Sequence, residues 1–273
     1  MKIVLIDNGS VEPAAHESLR AAAAAVGSGA EVPVFAVSWK HSDRIPHETL
    51  AEGRAWTLAP WIRAEVSAGE RDFLFVPFFI SPQGAIGSAL RKDLDALGQE
   101  TGGFAYSITD GLSSGGVLPR IISARVREAS AALGLSQPSV IVVDHGGPSR
   151  FSAEIRDQVA AAVRTELGSA IGPLKAASME SPAGPEYGFN RPLLEEALGP
   201  PGFISGDILI APLFLSPGRH AGKGGDLNRI ARVAEARSPG LRCHFTDLVG
   251  SHPLAIETLT GALQKALTVG IHP

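Results

Sequence analysis

Short runs rich in β-branched residues alternate along this chain with longer, alanine-rich stretches in which apolar positions recur every three to four residues. The first kind of pattern reads as a strand buried on both faces and the second as an amphipathic helix. Their alternation is the mark of an α/β chain with a mainly parallel sheet. Strands are predicted near residues 2–7, 32–37, 72–79 and 104–109, and again near 139–144, 173–178, 206–213 and 241–246. Helices are predicted around 13–26, 48–67, 86–101 and 118–133, then 150–168, 189–199, 223–237 and 253–268.

The two series match. LIDNGS aligns with VVDHGG, which sets Asp7 against Asp144 and Gly9 against Gly146 at an offset of 137 residues. FLFVPFFISPQGA aligns with ILIAPLFLSPGRH, which sets Ser81-Pro82 against Ser216-Pro217 at an offset of 135. A register held across most of each half marks an internal duplication. The join falls in LGLSQPS, residues 133–139, where Gly134 ends a helix and Pro138 precedes a strand. The expected organisation is two domains, 1–134 and 135–273, each a three-layer α/β/α half with a four-stranded, mainly parallel sheet. The two would face each other across a cleft, the usual place for a ligand.

Duplication also sorts fold from function, because one structural slot is filled twice. The shared Asp, Gly and Ser-Pro positions read as strand-end and turn geometry. The differences are His145 where the first half has Asn8, and His220 where it has Ala85. Both histidines stand just past the carboxyl end of a predicted strand, the edge at which open α/β sheets bind ligands.

Composition narrows the chemistry. At 273 residues the chain can bury a sizeable core without covalent staples. The formal charge is -4 with a pI near 6.1 and the basic residues are scattered, so no nucleic acid is expected as partner. No apolar run approaches the ~18 residues of a membrane span and the N-terminus lacks a leader pattern, so the expected setting is cytoplasmic, without a membrane partner. Cys243 is the only cysteine, which excludes an intramolecular disulfide and a thiolate zinc or iron–sulfur site. A metal here must be held by nitrogen and oxygen. GKGGD lacks the spacing of a phosphate loop, and no G-x-S-x-G elbow is present.

VVDHGGPSR, APLFLSPGRHAGKGGDL and LVGSHPLAIETL together resemble the sirohydrochlorin chelatase family, the class II chelatases, in their long two-copy form. The family pattern is an HGS-type turn after the first strand, P-L-F-L-x-x-G-x-H after the third and L-G-x-H-P near the end. The resemblance implies a chelatase-like fold and insertion of Co²⁺ or Fe²⁺ into a tetrapyrrole such as sirohydrochlorin, in cobalamin or sirohaem biosynthesis. It implies that His145 and His220 bind the incoming metal and take protons from the pyrrole nitrogens, with Glu180 of AASMESPAGPEYGF as a third group that completes the metal site or relays protons. The metal is then substrate, the partner is the tetrapyrrole, and neither organic cofactor nor ATP is called for. The protein would act as a monomer or homodimer. Imidazole suits the task, since it is a strong neutral ligand near pH 7 and a base.

Arg150, Arg219 and Lys223 flank the two histidines and are candidate partners for the carboxylates of such a substrate. Gly146, Gly147 and Gly218 leave room for a flat macrocycle, although turn geometry alone also calls for glycine. The chain departs from the family in reading H-G-G rather than H-G-S, and in lacking both histidines from its first half. The family contains members with active histidines in one half only. His252 is expected to help begin a helix beside Ser251 and Pro253, and His244 to pack within a strand. The alternative function is a carrier of metal or tetrapyrrole that keeps the fold and the histidines without turnover.

Overall fold

The computed structural model describes residues 1–80, 85–200 and 203–269. Ser81 and Pro82 lie outside the described residues, and the side chain of Ala85 is likewise not described. In chain order the elements are β1 (Lys2–Asp7), α1 (Pro13–Ala30), β2 (Val34–Ser38), α2 (Leu58–Ser67), β3 (Asp72–Pro77), α3 (Ala85–Thr101), β4 (Ala105–Ile108) and α4 (Val117–Leu133). There follow β5 (Ser139–Asp144), α5 (Arg150–Leu167), β6 (Leu174–Ser178), α6 (Leu194–Ala197), β7 (Gly206–Pro212), α7 (Asp226–Arg237), β8 (Leu241–Phe245) and α8 (Pro253–Val269).

The strands form two sheets of identical topology, β2-β1-β3-β4 and β6-β5-β7-β8, and every pairing is parallel. The register repeats as well. Asp7 pairs with Ser38 at the carboxyl end of the first sheet and Asp144 with Ser178 at that of the second. Central strands read as unbroken apolar runs because helices cover both of their faces, as the full burial of Val4, Leu5 and Ile6 and of Val140 to Val143 shows. The two-half α/β architecture expected from the sequence is thus what the chain adopts.

The chain divides into two compact units. One comprises residues 1–115, 215–219 and 250–273, and the other 116–214 and 220–249. Within the first, the last helix, α8, packs on α1 and β3; within the second, α4 packs on α5 and β7. Each unit is thus completed by a helix that the chain order alone does not assign to it. The core of the first unit gathers Val4, Ile6, Trp61, Phe73, Phe75 and Leu94, and that of the second Ile141, Val143, Leu194, Ile208, Ile210 and Leu227.

Three predicted helices are shorter than their apolar pattern suggested. The helix expected from residue 48 begins at Leu58, after a 3-10 turn at His47–Thr49 and Gly53 at a φ of 51°. Between 189 and 199 only Leu194–Ala197 is α-helical, because Pro192 offers no N–H and forces Arg191 into extended backbone. The helix expected from 223 begins at Asp226, since Gly224 has a φ of 75°. No helix among the described residues is long and apolar enough to cross a membrane.

Candidate metal site

β5 ends at Asp144, and His145 leaves the sheet at once. The turn that carries it is set by Gly146, whose φ is 81° and whose missing Cβ would lie 1.8 Å from the carbonyl oxygen of Glu180. Only glycine lets these backbones approach, and the N–H of Glu180 then donates to the carbonyl of His145 at 3.1 Å. The first unit repeats the device. A Cβ on Gly9 would lie 1.7 Å from the carbonyl oxygen of Lys40, and the N–H of Lys40 donates to the carbonyl of Asn8 at 3.2 Å. The sheet ends are one construction used twice, with His145 and Glu180 standing where Asn8 and Lys40 stand.

Gly147, the residue that replaces the family's serine, has a φ of 153°, a backbone conformation that residues with a side chain rarely adopt. It is clasped by buried Asn190, whose amide nitrogen donates to the Gly147 carbonyl at 2.9 Å. The capping task open to a serine falls instead to Ser149, whose hydroxyl accepts the N–H of Ser152 at the start of α5.

His220 lies beyond β7, six residues before the start of α7. Its carbonyl accepts the N–H of Leu227 at 3.1 Å, and its ring Nδ1 donates to the carboxylate of Asp226 at 2.7 Å. The ring of His145 is tied down by a different acceptor, with Nδ1 donating to the carbonyl of Gly146 at 2.9 Å. With each Nδ1 donating to an oxygen, the Nε2 atom of each neutral ring carries a lone pair. They face each other at 3.3 Å, with the rings at 87°. Two unshared lone pairs at this distance repel, and a cation between them removes the repulsion. Two imidazole nitrogens, each ~2.0–2.1 Å from one metal at a tetrahedral angle, stand ~3.3–3.4 Å apart. The observed spacing fits that arrangement.

The other sequence candidates are distributed around this pair. Glu180 is exposed and brings a carboxylate oxygen to 3.7 Å from Nδ1 of His145, the ring edge away from the paired Nε2 atoms. Among the described residues no group of three or more His, Cys, Asp or Glu side chains is gathered as a metal site, so the two histidines stand as a pair without a third ligand in place. Arg150 opens α5 and lays its guanidinium 5.1 Å from the centre of the Phe189 ring. Lys223 is exposed in the turn before α7. Gly218 and Arg219 belong to the segment 215–219 that packs with the first unit. His252 accepts the N–H of Leu254 on its Nδ1 and so caps α8, and His244 in β8 bonds Asp207 at 3.0 Å.

Beneath the His145 turn lies a buried polar set that sequence reasoning missed. Ser178 donates to Asp144 at 2.6 Å, and Arg156, 1% exposed, reaches Ser178, the carbonyl of Phe189 and, at 3.6 Å, Asp144 itself. Burial pushes the Asp144 carboxyl up, and the Ser178 hydroxyl and Arg156 oppose that rise. Among the described residues of the first unit no such cation acts on Asp7. Leu19 occupies the position on α1 that Arg156 occupies on α5, and burial pushes Asp7 up to about 6. Arg156 and Asp226 carried one sequence signal, a charged residue within or beside an otherwise apolar helical face. That signal is common to most solvated helices, so it did not single them out.

Residues 139–266 match the family model named CbiX. The resemblance to the sirohydrochlorin chelatases is thus borne out by the family model over the second half and by the shared fold. Solved structures of the same fold include SirB from Bacillus subtilis with Fe³⁺, at 14% identity and a TM-score of 0.64 over 97% of this chain and 95% of that one. The sirohydrochlorin chelatase SirB from Bacillus subtilis subspecies spizizenii, in complex with cobalt, matches at 12% identity and a TM-score of 0.66 over 99% and 97% of the two chains. CbiX, described as the terminal enzyme for biosynthesis of siroheme in denitrifying bacteria, matches over the whole of both chains at 14% identity and a TM-score of 0.62. No curated protein sequence matches the chain.

Proposed function

We propose that the half matching the CbiX model, residues 139–266, inserts a divalent metal, Co²⁺ or Fe²⁺, into a tetrapyrrole of the sirohydrochlorin type, with His145 and His220 as the working pair. The observation that carries this reading is the 3.3 Å approach of two Nε2 atoms on an exposed edge of the sheet, with the Nδ1 of each ring set against an oxygen acceptor. Such a pair takes a hydrated metal, exchanges imidazole for water, and presents the ion to a flat ligand. The reaction balances on the same two atoms. Two metal–pyrrole bonds form as two pyrrole N–H bonds break, and each imidazole that lets go of the metal has a free lone pair to accept one proton. Glu180, beside Nδ1 of His145, is a route for passing that proton to water. Arg150 offers a planar cation to a substrate carboxylate. The solved relatives crystallised with Fe³⁺ and with cobalt support a metal of this class.

The test mixes the metal-free protein with sirohydrochlorin and Co²⁺ or Fe²⁺ and follows the absorption change of the macrocycle. Catalytic metallation, lost in His145→Ala and His220→Ala, is the expected result. Binding in proportion to protein concentration with no turnover would make the protein a carrier and overturn the enzymatic reading.

A further inference from the structure

We infer that Asp226 is the positioning residue that holds His220 ready for metal, an inference that rests on the two-histidine reading above. Its Oδ2 accepts the Nδ1–H of His220 at 2.7 Å, and its Oδ1 accepts from Arg229 at 2.5 Å, so the carboxylate is held at both oxygens. Asp226 is half-buried and stands as the first residue of α7, where the helix N-terminus favours a negative charge. A neutral imidazole carries one proton, and a carboxylate fixed against Nδ1 dictates that it sits there. The lone pair is thereby directed from Nε2 toward His145. Without that acceptor the proton is free to sit on Nε2, which would cap the metal-facing nitrogen.

The comparison of the two units supplies an independent reason. Leu227, Ala231 and Ala234 are the buried positions of α7, and Leu90, Leu94 and Leu97 are buried with the same spacing on α3. That register sets Asp226 against Ala89, so the carboxylate occurs only in the unit that carries the histidine pair. The two histidines are also held unequally. His145 rests on a backbone carbonyl, which no substitution of a side chain removes directly, whereas His220 depends on one replaceable carboxylate.

Two measurements on the full-length protein test the assignment, with Co²⁺ alone as the probe. Nitrogen NMR of histidine-labelled, metal-free protein reports which ring nitrogen of His220 bears the proton. The Nδ1–H form is expected in the wild type, with a shift toward Nε2–H in Asp226→Ala and recovery in Asp226→Glu. Calorimetric Co²⁺ affinity is expected to fall ~10–100-fold in Asp226→Ala and to recover in part in Asp226→Glu, with Arg229→Ala as a control for lost helix-end pairing. Wild-type tautomer and wild-type affinity in Asp226→Ala would overturn the proposal, as would an equal loss in Arg229→Ala. If the wild type binds no Co²⁺ that His220→Ala abolishes, the metal reading of the site fails instead, while the tautomer measurement still decides whether Asp226 sets the proton on His220.

Discussion

His145 and His220 stand 75 residues apart in the chain, yet their Nε2 atoms meet at 3.3 Å. Neither ring is free to turn away, because each Nδ1 is engaged, one by the Gly146 carbonyl and the other by Asp226. On the proposed reading the pair would serve as a bidentate nitrogen ligand already in place, leaving little ordering entropy for metal binding to offset.

His145→Ala and His220→Ala should each weaken Co²⁺ binding by more than the ~10–100-fold typical of losing an outer partner, since on the proposed reading each removes a ligand. Asn8→Ala, at the equivalent slot of the first unit, should leave the affinity unchanged. Titration calorimetry of the three variants checks both statements.

Gly146→Ala should disrupt the site and the fold together. The new Cβ would meet the Glu180 carbonyl at 1.8 Å on a backbone at a φ of 81°, and the left-handed conformation alone costs ~1–2 kcal/mol before the clash is relieved. The expected outcome is a lowered unfolding midpoint and lost Co²⁺ affinity. Gly9→Ala meets the Lys40 carbonyl at 1.7 Å and should lower the midpoint comparably, while the folded fraction still binds metal.

Arg156→Leu copies the residue that the first unit has at this position, Leu19. It strands Asp144 and Ser178, both buried, without their cation. Breaking one side of such a buried pair costs ~3–5 kcal/mol, so denaturant unfolding should show a loss of that order. Adding Asp144→Asn to Arg156→Leu should restore part of it, because the uncompensated charge is gone.

Asp7 and His16 should give the first unit opposite pH dependences. Burial pushes the Asp7 carboxyl up from 3.8 to about 6, so between those values the folded chain binds more protons than the unfolded one. Its contribution therefore weakens the fold as pH rises through that window. Burial pushes the His16 imidazole down from 6.5 to about 4, so there the unfolded chain takes the proton first, and stability is lost as pH falls through that window. Asp7→Asn should raise the unfolding midpoint at pH 7.5 more than at pH 4.5. His16→Leu should raise it at pH 4.5 more than at pH 7.5. Asp7 Oδ1 and His16 Nδ1 are both shielded from solvent with no hydrogen-bond partner, which is why burial dominates each.

The strands were legible in the sequence because burial on both faces leaves unbroken β-branched runs such as VLI and VIVV, and because the chain writes the pattern twice, whereas their order in each sheet came only with the structure. The H-G-G turn was legible too, since a glycine that no side chain can replace leaves a fixed mark beside a strand end. Three helices were read too long at Gly53, Pro192 and Gly224, where one residue's backbone preference outweighs the periodicity around it.

Local pattern thus determined the α/β class, the duplication and the two histidines worth examining. The chain order put α4 with the first half and α8 with the second, whereas packing sets α4 on α5 and β7 and α8 on α1 and β3, an exchange that two alike amphipathic helices do not announce. Local pattern also left undecided that Glu180 lies at the Nδ1 edge of His145, that Asp226 holds His220, and that Arg156 lies beneath Asp144. Periodicity records only whether a position faces a core. Which polar atoms meet depends on loop paths and on the need to satisfy every buried donor and acceptor, a condition that exists only once distant segments have closed upon one another.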